Sequence, residues 1–332
     1  MTDEHKLNKE VEVRLYKTGD ASGILGMFTK YFPYKRDEEF WVWINRIIGE
    51  DSIVAVATIC NKVVGHYAIV PRKIFVDNIE YNSGLGIHAV VDPEYREYVS
   101  IFEISNLAYK EANKRGLSFV YGFPNANYRF IQEKLEKWKR VSIFNAYELD
   151  LNKDSCLLPQ ENIFIEKIEA SDFKKIYDIQ VMIEKSVKMP VTPSNGGKNW
   201  LLRYILHPQH LYETFEIHRN SEVVGFVVTK NYTKENFRYR HIIDYVFSDT
   251  VNIESILTKL VTEAKKEQID YYSVWKGDTS FEKAILKFGF LPTGFDTFLG
   301  VKVIDKSLSQ AVIDKLTDFS NWRLVMGDTD SF

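Results

Sequence analysis

Two stretches far apart in the chain share a phrase. NKVVGHYAIV (61–70) and NSEVVGFVVT (220–229) both run from a polar turn through V-V-G into alternating apolar residues. Alternation with a period of two marks a half-buried strand, and a glycine inside such a run marks a bulge or a close backbone approach. The surroundings repeat too. The first phrase sits in a hairpin (52–76), expected to turn at Asn61-Lys62. A strand (11–17) and two helices (20–32, 37–49) precede it. A strand (84–92), a helix (96–115) ended by Gly116, a strand (117–125), a helix (127–138) and a strand (140–151) follow. The second hairpin (212–232) is preceded by a strand (163–170) and helices (171–187, 199–211). It is followed by a strand (238–249), a helix (252–268), a strand (270–278), a helix (280–290) and a strand (294–303). Such a long-period repeat is an internal duplication, and each copy reads as a mixed α/β layer. The polar joint 152–162 separates expected domains at 1–151 and 163–332.

The 332 residues are 45% hydrophobic and 27% charged, enough for a sizeable core. A net charge of −3 offers no global attraction to nucleic acid or anionic membrane. The basic run EKLEKWKR (133–140) reads as a solvated helix face. Cys60 ends an apolar run and is expected in the core. With Cys156 it makes neither a disulfide framework nor a metal site. The opening MTDEHKLNKE lacks an apolar leader, and no apolar run approaches the ~20 residues that span a bilayer. The expectation is a cytoplasmic protein.

The segment GLGIHAVVDPEYREYVSIFEISNLAYKEANKRG (84–116) reads as strand, turn and helix, a common way to present backbone N–H groups to a phosphate. Together with the V-V-G hairpins and VYGFPNANYRFIQEKLEKW (120–138), it resembles the GNAT superfamily of acyl-CoA-dependent N-acyltransferases. The resemblance covers nearly the whole chain as a tandem pair of α/β, mixed-sheet folds. It implies that the pyrophosphate of acetyl-CoA sits at the D-P-x-Y-R turn, here VDPEYR, and that the next strand splays away to admit the pantetheine. The family then reads R-x-x-G-x-G or R-x-x-G-x-A, whereas this chain places Val99 and Ile101 at the glycine positions. A helix N-terminus offers unpaired N–H groups and partial positive charge whatever its side chains, but glycine lets backbone and oxygen come close. Val99 is expected to narrow the approach and Glu97 to repel, while Arg96 and Ser100 supply donors. The second copy, YVFSDTVNIESIL, lacks the arginine and the glycines. It places Asp249 where a capping carboxylate competes with phosphate. The first copy is therefore expected to hold acetyl-CoA, and the second to wall a cleft.

Acyl transfer from a thioester to an amine needs a base, N–H groups on the thioester oxygen, and an acid for the thiolate. By resemblance the strand backbone at Ala89, Val90 and Val91 supplies the N–H groups. The family's tyrosine position falls near Gln132 or Glu133, so Tyr128 and Tyr121 are the substitutes, each equally readable as a core aromatic with a polar tip. Asn125 and Asn127 would contact the cofactor's amide arm, although a helix N-cap also accounts for Asn127. His88 is a candidate base or a satisfied core histidine, as is His66. His207 and His210 lack a third ligand, so no metal is expected. SNGG (194–197) reads as an interhelical loop. In some tandem members, and in the N-myristoyltransferases, the chain-terminal carboxylate is the base, which nominates Phe332. The alternative is a frayed end; Trp322, Met326 and Phe332 favour docking.

These expectations converge on an N-acetyltransferase moving acetyl from acetyl-CoA to a primary amine of a small molecule such as an amino sugar, amino acid or polyamine. They include no metal, nucleic-acid or membrane partner, and a homodimer is compatible with them. The competing reading is a non-catalytic GNAT-like module that binds a ligand or partner, favoured by the missing glycines and tyrosine. A FemAB-like aminoacyl transferase would need a basic groove that the composition lacks.

Overall fold

The computed structural model describes residues 11–32, 36–48, 52–153, 162–169, 189–193 and 200–329, with isolated positions between 172 and 182. The strands are β1 (Val11–Leu15), β2 (Ile53–Ile59), β3 (Lys62–Val76), β4 (Ile79–Val91), β5 (Phe119–Gly122), β6 (Lys139–Asp150), β7 (Ile163–Lys167), β8 (Val191–Pro193), β9 (Glu213–Arg219), β10 (Glu222–Lys234), β11 (Phe237–Phe247), β12 (Tyr271–Val274) and β13 (Leu291–Val303). The helices are α1 (Asp20–Tyr31), α2 (Glu38–Val42), α3 (Ile101–Lys114), α4 (Ala126–Lys134), α5 (Ile253–Lys266), α6 (Thr279–Phe288) and α7 (Gln310–Thr317). This is the mixed α/β architecture the resemblance implied, with a tandem plan.

Two compact units divide the chain. Unit 1 takes the chain up to Lys73, Glu80–Ser142 and Phe298–Thr317; unit 2 takes Ile74–Ile79, Ile143–Thr297 and the chain from Asp318 on. In unit 1, β2 runs antiparallel to β1 and β3, β4 lies parallel to β5, and β5 pairs with Gly300–Val303 of β13. In unit 2, Tyr147–Asp150 of β6 pairs with β12, β12 lies parallel to β11, and β10, β9 and β7 follow antiparallel. Each unit thus takes its last strand from the other repeat.

The V-V-G glycines do sit at bulges. Gly65 pairs with Ala57 while Val63 pairs with Thr58, leaving Val64 extra; Gly225 pairs with Ile217 while Val223 pairs with His218, leaving Val224 extra. A Cβ on Gly65 would stand 2.5 Å from Ile104, and one on Gly225 would stand 2.6 Å from Phe247. The missing Cβ therefore makes room for Ile104 of helix α3 in one unit and for the Phe247 ring of the paired strand β11 in the other.

Several local expectations are corrected. The first hairpin turns at Cys60-Asn61, both left-handed, so Cys60 is exposed at the turn and is no core residue. Arg96–Val99 is a turn, and α3 begins only at Ile101 because Ser100 caps it. Asn125 caps α4, not Asn127. Asn252 caps α5 by accepting from Ser255 N–H, so Asp249 is not the cap. Helix α7 was not anticipated. The C-cap at Gly49, most of the helix 171–187, Cys156 and the SNGG loop lie outside the described residues.

Candidate active site

Strands β4 and β5 share only three parallel pairs, the last being Leu85 with Tyr121. Past that point β4 continues to Val91, whereas β5 stops at Gly122. The part of β4 beyond its pairing with β5 carries His88 in the left-handed region (φ 53°), an uncommon conformation for a non-glycine residue. Gly86 sits where the ladder ends, and a Cβ there would stand 2.4 Å from the Tyr67 hydroxyl. Glycine at 86 therefore lets that hydroxyl reach the parting of the strands. The β4 backbone at Ala89, Val90 and Val91 leads from the parting towards α3.

The turn after β4 is held by its own backbone. Asp92 accepts from Glu94 N–H at 3.1 Å, and Tyr98 and Val99 N–H both donate to Tyr95 O at 3.0 Å. Val99 is 2% exposed and packs with Ile104 and Ala108, so it points into the core. The expectation that Val99 narrows a phosphate's approach is thereby corrected. Ile101 is half-buried against the same core, while Arg96, Glu97 and Ser100 face solvent. Ser100 Oγ accepts from Phe102 N–H at 3.2 Å, and Glu103 Oε2 accepts from Ser100 N–H at 3.4 Å. Together they form a capping box whose second contact is long for a hydrogen bond. The start of α3 is loosely self-capped, and an anion can compete for these N–H groups.

Beneath the parting lies a buried polar network that sequence reasoning found only in part. Glu136, 1% exposed, accepts from Ser105 Oγ at 2.7 Å, Tyr109 hydroxyl at 2.6 Å and Tyr128 hydroxyl at 2.9 Å. The Tyr109 hydroxyl lies 3.2 Å from that of Tyr67 and accepts from Trp138 Nε1 at 3.1 Å. Burial, with the neighbouring tyrosines and Glu136 adding to it, raises Tyr109 and Tyr128 well above the ordinary phenol value. Both stay protonated at neutral pH. Lys302, from β13, donates to Glu136 O, and burial lowers its pKa. No motif announces Glu136; one of two acids inside EKLEKWKR, it looks like a solvated one.

The nominated catalytic residues fall on two faces of the sheet. Tyr128 joins the α3 side through Glu136. His88 lies on the α1 side, with Phe28, Phe32 and Phe40 rings 4.8, 5.6 and 6.3 Å from its own. His66 Nδ1 donates to His88 O at 2.9 Å, and burial lowers the His66 pKa to about 3. Tyr121 is 1% exposed and, next to core-facing Val120, points to the face opposite α3. Asn125 and Asn127 are exposed at the start of α4. Phe332 lies outside the described residues. The tail before it does dock: Trp322 through Thr329 are all buried.

In unit 2 the matching strands, β11 and β12, stop pairing after Ile242 and Val274. The tail fills that gap. Gly277 N–H donates to Leu324 O at 2.9 Å, Leu324 N–H returns to Gly277 O at 3.2 Å, and Arg323 engages Asp244 at 3.3 Å and the Tyr245 carbonyl. Beside it opens a cleft of about 540 Å³ lined by Ser248, Asp249, the start of α5, and Ser280, Lys283 and Lys287 of α6. Lys287 is already paired with Glu254 at 2.8 Å. The only metal-like cluster found among the described residues, Glu166, Glu216 and His218, has Lys175 on both carboxylates, at 2.9 and 3.2 Å.

A mixed sheet whose parallel strands part above a helix N-terminus, built twice, defines a tandem acyltransferase-type fold. Residues 12–134 match the family model of the acetyltransferase (GNAT) domain. Among solved structures, a probable N-acyltransferase of unknown function from Enterococcus faecalis superposes with a TM-score of 0.68 at 10% identity, covering 89% of this chain and 73% of that one. A GCN5-related N-acetyltransferase from Anabaena variabilis gives 0.66 at 12% identity, covering 89% and 73%. One from Kribbella flavida gives 0.64 at 10% identity, covering 89% and 71%. At these identities the likeness is one of fold. Compared with curated proteins, the chain has no match.

Proposed function

We propose that the protein is an acyl-CoA N-acyltransferase that holds acetyl-CoA in unit 1 and passes the acetyl group to a primary amine of a small molecule. The observation carrying this reading is the parting of β4 from β5 beside α3, with Arg96 and Ser100 on the solvent side and Val99 turned inward. Arg96, Ser100 and the first N–H groups of α3 would hold the pyrophosphate. The β4 backbone at Ala89–Val91 would hold the thioester oxygen. The amine nitrogen attacks the thioester carbon, the C–S bond breaks, the amine loses a proton and the CoA thiolate gains one. Tyr128, protonated and backed by Glu136, is assigned to the thiolate side. His88, on the other face, is assigned to the amine side.

A second reading rests on the unit 2 cleft, whose size lies within the range of small-ligand sites. It places the donor there, with Lys283 in the role of Arg96. Calorimetric titration of acetyl-CoA separates the two. The first reading expects Arg96→Ala to weaken binding at least tenfold and Lys283→Ala to leave it unchanged; the reverse pattern transfers the site to unit 2. No binding to either variant or to wild type sinks the enzyme reading in favour of a ligand-binding module. If acetyl-CoA binds, release of free thiol over a panel of amino sugars, amino acids and polyamines identifies the acceptor.

A further inference from the structure

Between the start of β6, the start of α6 and the start of β13, unit 2 contains another cavity, of about 270 Å³, which the proposed acyl transfer does not use. Its floor is cationic. Lys276, just beyond β12, is only 5% exposed, and its ammonium stands 4.6 Å from the Phe319 ring centroid. Among the described residues it has no hydrogen-bond acceptor or carboxylate within ion-pair distance. A buried ammonium without a direct ion-pair partner is costly, and an anion brought against it offsets that cost. Burial depresses its pKa, although Glu282, Asp278 and Asp318 pull it back up.

Two carboxylates also line the cavity, Asp296 exposed and Glu282 half-buried. Asp296 is exposed at the rim and accepts from Asn145 Nδ2 at 3.1 Å. Glu282 accepts from the Tyr147 hydroxyl at 2.9 Å. A phosphate entering would pass two carboxylates. A simple amine would meet Lys276 at the floor. A neutral molecule would leave the ammonium unanswered. The volume lies just below the range of drug-sized sites.

We propose that this cavity binds a small amino carboxylate, with its carboxylate on Lys276 and its ammonium toward Asp296. The ligand need not be the acyl acceptor, and the assignment does not depend on acetyl-CoA binding.

The test uses the full chain without any acyl-CoA. The rate at which trinitrobenzenesulfonate arylates Lys276 is followed by peptide mass mapping, with L-serine, 4-aminobutyrate, butyrate, butylamine or inorganic phosphate present. At least one amino carboxylate is expected to slow the reaction fivefold or more, with butyrate and butylamine below twofold. Equal protection by butyrate, strongest protection by phosphate or butylamine, or no protection by either amino carboxylate overturns the proposal. Calorimetry with the protecting amino carboxylate adds an independent reading through the exposed rim. Asp296→Asn is expected to weaken binding at least fivefold while leaving the fold intact, and unchanged affinity in that variant also overturns it.

Discussion

The Tyr128 hydroxyl donates to Glu136 at 2.9 Å, although only 1% of Glu136 is exposed. If that pairing serves the departing thiolate, Tyr128→Phe is expected to lower kcat on the order of a hundredfold with little change in KM for acetyl-CoA. Glu136→Leu removes the acceptor of three hydroxyls and is expected to cost more than about 3 kcal/mol of stability. A Tyr128→Phe enzyme with a lowered Tm and an unchanged kcat would make the network structural only.

Gly86 and Tyr67 form a second testable pair. Because an 86 Cβ would meet the Tyr67 hydroxyl at 2.4 Å but the ring carbon behind it at 3.3 Å, Gly86→Ala alone is expected to cost about 1–3 kcal/mol. In the Tyr67→Phe background the same change should cost clearly less. A double-mutant cycle in urea measures the coupling, and additive costs would show that the hydroxyl is not the obstacle.

Val99 and Glu97 separate packing from charge. Val99→Ala deletes buried methyls and is expected to lower stability by about 1–2 kcal/mol without altering acetyl-CoA affinity. Glu97→Gln is expected to tighten acetyl-CoA severalfold at low salt, the gain shrinking as salt screens the exposed charge. Titrations at two ionic strengths decide it; a salt-independent effect would point to altered structure.

Acid should destabilise the protein through its buried histidines. Burial lowers His66 and His241 to about 3, whereas an unfolded histidine titrates near the ordinary value of 6.5. As pH falls through this window the unfolded state gains protons that the native state refuses, so stability is lost, by up to about 1.4 kcal/mol per pH unit for each histidine. Asp328, raised to about 6 by burial, works in the opposite sense: its contribution is lost as pH rises from 3.8 to 6. Two histidines outweigh one aspartate. Urea unfolding at pH 7.5 and 5.0 should show the loss, and His66→Gln should flatten it. An equal slope in that variant would contradict the assignment.

Much of the fold could be read from local pattern. The V-V-G bulges and the α3 stripe of Ile104, Ala108 and Ala112 follow from periodicity and the absence of a Cβ, both of which act over a few residues. The candidate site was legible only where a motif carried it. The candidates Arg96 and the end of β4 come from the VDPEYR turn, and Ser100 from the helix start just after it. Which way Val99 points depends on the N-cap one residue later, and that cap sets where the helix begins. Tyr67 and Glu136 come together through contacts 69 residues apart in the chain, via Tyr109, and neither has a sequence mark. The exchanged strands were also illegible, because Tyr147–Asp150 and Gly300–Val303 carry the same alternation whichever sheet receives them.

That exchange has a consequence for biosynthesis. Unit 1 needs Gly300–Val303 to cover the edge of β5, and unit 2 needs the tail around Leu324 to bridge Gly277. On a ribosome, unit 1's sheet cannot be finished before Gly300–Val303 are made, nor unit 2's before Leu324. The first repeat must wait with an open edge, the condition in which strands pair wrongly or aggregate. Synthesis of the segment from Gly300 to Leu324, not completion of the first repeat, is the event that lets both sheets close.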